Sequence, residues 1–176
     1  MEPKNYYSKI PKKLVEKHTY KNYSKVKIEV PCFGLIIGAI SSMKTNTLLY
    51  LVEQIAAWNK IFLFTKQPSE PLYKYLADCI NKVENKHKVK VLTVSNDINE
   101  MPDIDSIDKT DSNLFIFDDM ICEEKKLLER VGQLFIRGRK MNCSAFFITQ
   151  SYFKTPNLIR SQCNLLIFKR INSTKD

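Results

Sequence analysis

The stretch that most constrains the fold runs from Phe33 to Thr47, FGLIIGAISSMKTNT. Phe33-Gly34-Leu35-Ile36-Ile37 is an apolar run too short for a lone helix and rich in β-formers, so it predicts a buried strand. Gly38 ends the run, and six positions later come Lys44 and Thr45. This is the frame of a phosphate-binding loop, G-x-x-x-x-G-K-[ST], set between a strand and a helix. In such a loop the backbone N–H groups at the helix N-terminus wrap a polyphosphate. Lys44 would neutralise the β- and γ-phosphates, and the Thr45 hydroxyl would ligate Mg²⁺. Leu48, Leu49, Leu51, Val52, Ile55 and Ala56 recur at i, i+3, i+4, i+7 spacing and predict the helix that must follow. One position departs from the frame, because Met43 stands where the glycine before the lysine belongs. A side chain there makes positive φ costly by about 1–2 kcal/mol. An ordinary strand–turn–helix that happens to contain Lys-Thr is the alternative for this stretch taken alone.

A chain of 176 residues, 44% of them hydrophobic, can bury one sizeable core. Residues 1–25 are polar, basic and tyrosine-bearing and read as an N-terminal arm; residues 26–176 read as the domain. Apolar runs reach only five to six residues and the N-terminus has no apolar segment, so neither a membrane span nor a secretory signal is expected. The five cysteines form no C-x-x-C pair and read as small buried side chains in a reducing compartment, not as a metal site. With 28 Lys and Arg against 19 Asp and Glu, the net charge of +9 favours polyanionic partners, nucleic acid first. A solvated lysine-rich surface is the other reading.

Val26-Lys27-Ile28-Glu29-Val30 alternates and predicts a half-exposed strand stopped by Pro31. Ile61–Phe64 predicts a second buried strand, residues 70–84 a helix with Leu72, Tyr73, Leu76, Ile80 and Val83 on one face, and residues 89–94 a short third strand. Residues 96–112 carry six aspartates and glutamates, with Pro102 among them. They lack the glycine and the closing glutamate of a Ca²⁺ loop, and so read as a solvated connector. Leu114–Phe117 then ends in Asp118-Asp119, which describes a central parallel strand delivering carboxylates into a crevice. Behind a phosphate-binding loop, Asp118 would hold the Mg²⁺ shell and Asp119 would orient or deprotonate the attacking water. A helix over residues 123–137, ended by Gly138, leads to the basic cluster Arg137, Arg139 and Lys140. Ala145–Thr149 is another buried strand, and Gln150 at its end would sense the γ-phosphate if this strand neighbours the first. A short helix over Asn157–Arg160 and a last strand, Leu165–Phe168, complete an α/β pattern, mostly parallel with helices on both faces.

Together GAISSMKTN, NLFIFDD, LFIRGRKMNCSAFFITQSYF and PNLIRSQCN resemble the genome-packaging ATPases of large DNA viruses, the poxvirus-type members of the FtsK/HerA superfamily. The likeness covers roughly residues 33–170, and WNKIFLFTKQPSEPLYKYL is similar to the family's second strand and helix. The resemblance implies a RecA-like, additional-strand P-loop NTPase that hydrolyses ATP with Mg²⁺ to move double-stranded DNA into capsids. It also implies capsid proteins as partners, a homo-oligomeric ring (hexamer or pentamer), and location in the host cytoplasm, at viral factories, or in the virion. Carried onto this chain, Gly38, Ser41, Ser42, Met43, Lys44, Thr45 and Asn46 bind the nucleotide. Thr45 and Asp118 hold the metal, Asp119 is the catalytic carboxylate, and Gln150 is the polar sensor. Ring motors need an arginine from a neighbouring subunit, because charge develops on the γ-phosphate. Arg139 is the first choice, then Arg137 and Arg160. Members usually carry glycine where this chain has Ser41 and Met43, and the second acid is often Glu in the wider superfamily. A weakened P-loop scaffold in virion assembly and a small-molecule P-loop kinase remain alternatives.

Overall fold

Each short apolar run becomes a strand of one sheet, because a run buried on both faces satisfies its backbone only by pairing on both sides. The structure, a computed structural model, describes Pro11 and residues 20–171. In chain order the elements are α1 (Tyr23–Val26), β1 (Phe33–Ile37), α2 (Lys44–Ile55), β2 (Lys60–Thr65), α3 (Pro71–His87), β3 (Leu92–Ser95), β4 (Asn113–Asp118), α4 (Lys125–Arg137), β5 (Cys143–Thr149), α5 (Asn157–Arg160) and β6 (Leu165–Phe168). The strands stand in the order β3-β2-β4-β5-β1-β6, and every described pair is parallel. The expected α/β class is therefore present, with an additional strand, β5, between the strand of the loop and the strand of the acids.

Successive strand residues point to opposite faces, and two cores result. Leu35, Ile37, Phe115, Phe117 and Phe147 face Val131, Leu134 and Phe135 of α4 and Ile159 of α5. Ile36, Leu63, Ile116, Phe146 and Ile148 face Leu48, Val52 and Ile55 of α2 and Tyr73 and Leu76 of α3.

Two local expectations are corrected. Residues 26–30 form no strand: Val26 ends α1, and Lys27 takes a left-handed φ of 57°. The alternation of Val26, Ile28 and Val30 instead packs these side chains against the α2–α3 core, since β5 and β6 already occupy both edges of β1. Residues 96–112 are more than a solvated connector. Ile98, Met101, Ile104 and Ile107 are buried in the α4 core, two of them starting short 3₁₀ turns. Arg130 of α4 holds the segment from outside, donating to the carbonyls of Asn99 and Met101 and pairing with Asp103. As expected, α4 ends at Gly138, which caps it with φ −60° and passes directly into a 3₁₀ turn, Gly138–Met141; the left-handed residue follows at Asn142, φ 54°. Of the arm expected over residues 1–25, positions 1–10 and 12–19 lie outside the described residues. Tyr20 donates to the carbonyl of Ile28 and Asn22 to that of Ile55, tying this segment to the body.

Candidate active site

The site grows from the C-terminal ends of β1, β4 and β5, where a parallel sheet leaves a crevice. β1 ends beside β5, with Ile37 opposite Thr149, and the Gly38 N–H donates to the Thr149 carbonyl at 3.2 Å. Gly38 is required there by close approach: a Cβ would lie 2.4 Å from Ser42 Oγ and 2.7 Å from Lys169 Cβ. The loop then turns through two non-glycine residues in the left-handed region, Ser41 (φ 61°) and Met43 (φ 64°), before α2 begins at Lys44. Ser41 to Asn46, with Glu70 and Leu72, line a cavity of about 350 Å³.

Met43 occupies the strained position that the motif reserves for glycine, and its side chain is 69% exposed, so no packing compensates. Met43→Gly is expected to stabilise the domain by about 0.5–1 kcal/mol, the relieved left-handed cost less the added unfolded-chain entropy. Urea unfolding checks this through a higher midpoint at unchanged slope.

The Lys44 ammonium donates to the carbonyls of Gly38 (2.8 Å) and Ala39 (2.9 Å), which curls it back over the loop. Burial lowers its pKa, and the charges of Asp118, Asp119 and Glu70 oppose that shift. Asp118, the last residue of β4, is thus near enough to Lys44 for the two charges to act on each other. Burial first, then the negative charges of Glu70 and Asp119, hold the Asp118 carboxyl up at about 6, against the Tyr73 hydrogen bond and Lys44. Tyr73 donates to Asp118 Oδ2 at 2.5 Å. Burial first, then Asp118, raises the pKa of that phenol. Asp119 follows at the rim, exposed, with φ 58°.

The residues fit a metal-bound polyphosphate. Ser42 Oγ is buried without a hydrogen-bond partner, inside the cradle that a Cβ on Gly38 would fill. A desolvated ammonium, a hydroxyl and a carboxylate with a raised pKa match what a triphosphate with Mg²⁺ needs: a cation for the anion, hard oxygens for the metal, and a metal charge to keep the acid ionised.

The structure thus gathers Ser41, Ser42, Met43, Lys44, Thr45 and Asn46 around one cavity, with Asp118 and Asp119 near enough to act on the Lys44 charge and Gln150 exposed one residue beyond the Thr149 that Gly38 contacts. It does not bring the basic cluster there. Arg139 lies in the turn preceding β5, at the opposite edge of the sheet, roughly 20 Å away along the strand. Arg137 pairs with Asp105. Arg160 lies over the rings of Tyr152 (5.1 Å) and Phe153 (5.8 Å). Two residues of the site went unread in the sequence. Glu70 looked like an ordinary helix start, and nothing in its spacing marks it. Tyr73 counted among the apolar face of its helix, yet it is 2% exposed, and a phenol that deep needs a polar partner.

The chain is similar to known proteins at the level of fold. The cytoplasmic domain of EssC is similar over 82% of this chain and 32% of its own, with TM-score 0.55 and 11% identity. The cytoplasmic domain of the Thermomonospora curvata type VII secretion ATPase EccC is similar over 80% and 20%, with TM-score 0.51 and 9% identity. A KaiC-like protein of Pyrococcus horikoshii is similar over 80% and 72%, with TM-score 0.51 and 11% identity. The chain thus spans about a third of the EssC domain and a fifth of the EccC domain, and the shared part is the RecA-like fold of P-loop ATPases. No curated protein sequence matches. The profile of the family described as Poxvirus A32 protein matches residues 20–175, loop, acid strand and basic segment included, and the chain belongs to that family.

Proposed function

We propose that this chain is an ATP-hydrolysing motor that drives viral double-stranded DNA into capsids, working as a homo-oligomeric ring. The observation that carries the reading is that Lys44 and Thr45 line one cavity while the Asp118 charge acts on Lys44, in a chain of the Poxvirus A32 family. Lys44 would leave its loop carbonyls to meet the β- and γ-phosphates, while the loop N–H groups at the start of α2 wrap them. Thr45 and Asp118 would hold Mg²⁺, which when bound neutralises charge on the phosphates. Asp119, exposed at the rim, would take the proton of the attacking water, and Gln150 would align that water. Arg139 cannot reach the site of its own subunit, which is what an arginine acting on a neighbour requires; Arg137, paired with Asp105, would first have to break that pair.

The net charge of +9 supports a DNA partner gripped through its phosphates, and such contacts weaken with salt. Double-stranded DNA is expected to stimulate Mg²⁺-dependent phosphate release at low salt. That stimulation should fall by about tenfold or more between 50 and 200 mM salt. Hydrolysis indifferent to DNA at low salt would overturn the motor reading. The left-handed Met43 favours a second reading, a scaffold that has lost hydrolysis. Titration with ATP and Mg²⁺ separates the two, since a scaffold of this kind gives no heat at millimolar nucleotide.

A further inference from the structure

Tyr73 belongs to α3, outside both the phosphate loop and the acid strand, yet its hydroxyl meets one of the two side chains proposed to hold the metal. It donates to Asp118 Oδ2 at 2.5 Å. The ring is 2% exposed and packed in the α2–α3 core, so the hydroxyl has little freedom to turn elsewhere.

A phenol carries one proton and an ionised carboxylate carries none to give. With its one proton committed to Asp118 Oδ2, Tyr73 fixes that carboxylate, and Asp118 keeps Oδ1 for a second partner. An oriented carboxylate oxygen is what a hard divalent cation demands. We propose that Tyr73 is a positioning residue for the divalent cation: by holding Oδ2 of Asp118, it leaves Oδ1 oriented for the metal. This rests on the nucleotide-site reading above. It adds that metal affinity is set from α3, by a residue that touches neither phosphate nor metal. Groups that orient metal ligands in this way typically govern affinity by 10–100-fold.

The test is calorimetric titration of the full chain with ADP, in excess EDTA and in saturating MgCl₂, together with a Mg²⁺ titration at fixed ADP. In wild type, ADP is expected to bind more tightly with Mg²⁺. Tyr73→Phe, which keeps the ring and its packing, should retain the EDTA affinity and shift the Mg²⁺ midpoint upward by about tenfold or more. Combined with Asp118→Asn, its effect should not add, because both losses run through the same carboxylate. An unchanged Mg²⁺ midpoint in Tyr73→Phe, or full additivity, overturns the positioning role while leaving the site in place. Wild-type protein that binds ADP in neither condition overturns the site itself.

Discussion

Lys44→Ala is expected to weaken ATP binding by about 100-fold and to bring phosphate release to background. Two charge-assisted contacts to phosphate contribute about 3 kcal/mol together, which is about two decades of affinity. The loss falls on function and not on folding, because the Lys44 ammonium donates only to the Gly38 and Ala39 carbonyls of its own loop. The melting temperature should therefore stay within a few degrees of wild type, and titration with Mg²⁺ and ATP should lose its heat. Lys44→Arg is expected to fail almost as fully, since a planar fork does not fit where a compact ammonium meets two phosphates. If Lys44→Ala bound ATP like wild type, the loop would not be a phosphate site.

Asp119→Asn should keep ATP affinity within about threefold and reduce turnover by about 10²–10⁴-fold, the range of a lost general base. The backbone makes this substitution clean. Asp119 sits at φ 58°, and asparagine is among the few residues that tolerate the left-handed region. The side chain is exposed, so no buried partner is orphaned. Glu70 is the control: it lines the cavity and bears on Asp118, so Glu70→Gln should be compared beside Asp119→Asn in the same single-turnover assay. Full turnover in Asp119→Asn would remove the water-activating role from that residue.

The four inner strands were legible from sequence because each is a short apolar run bounded by polar residues and largely buried on both faces; the edge strands β3 and β6 carry exposed residues, and the alternation over 26–30 looked like a strand and forms none. The phosphate loop was legible from Gly38, Lys44 and Thr45 despite Met43, since spacing survives a change of residue. Chain turns were harder to read. Their usual glycine marker is absent: Lys27, Ala56, Lys88 and Asn142 take the left-handed positions, while none of the four glycines does. The segment over residues 96–112 was misread because its acids dominate its composition. Its apolar residues, Ile98, Met101, Ile104 and Ile107, recur every three positions, the period of a 3₁₀ path laid along a core, and that signal was present all along. Tyr73 illustrates the remaining difficulty, because helical spacing reports which face a residue occupies and says nothing of what its hydroxyl meets there.

The placement of β5 between β1 and β4 gives the crevice a gauge. Two inter-strand spacings, about 10 Å, separate the backbone carrying the loop from the backbone carrying Asp118. Main-chain hydrogen bonds hold that width, and no side chain belongs to the ruler. Sequence can therefore drift far, as the 11% identity with EssC attests, and alter what coats the walls without moving them apart.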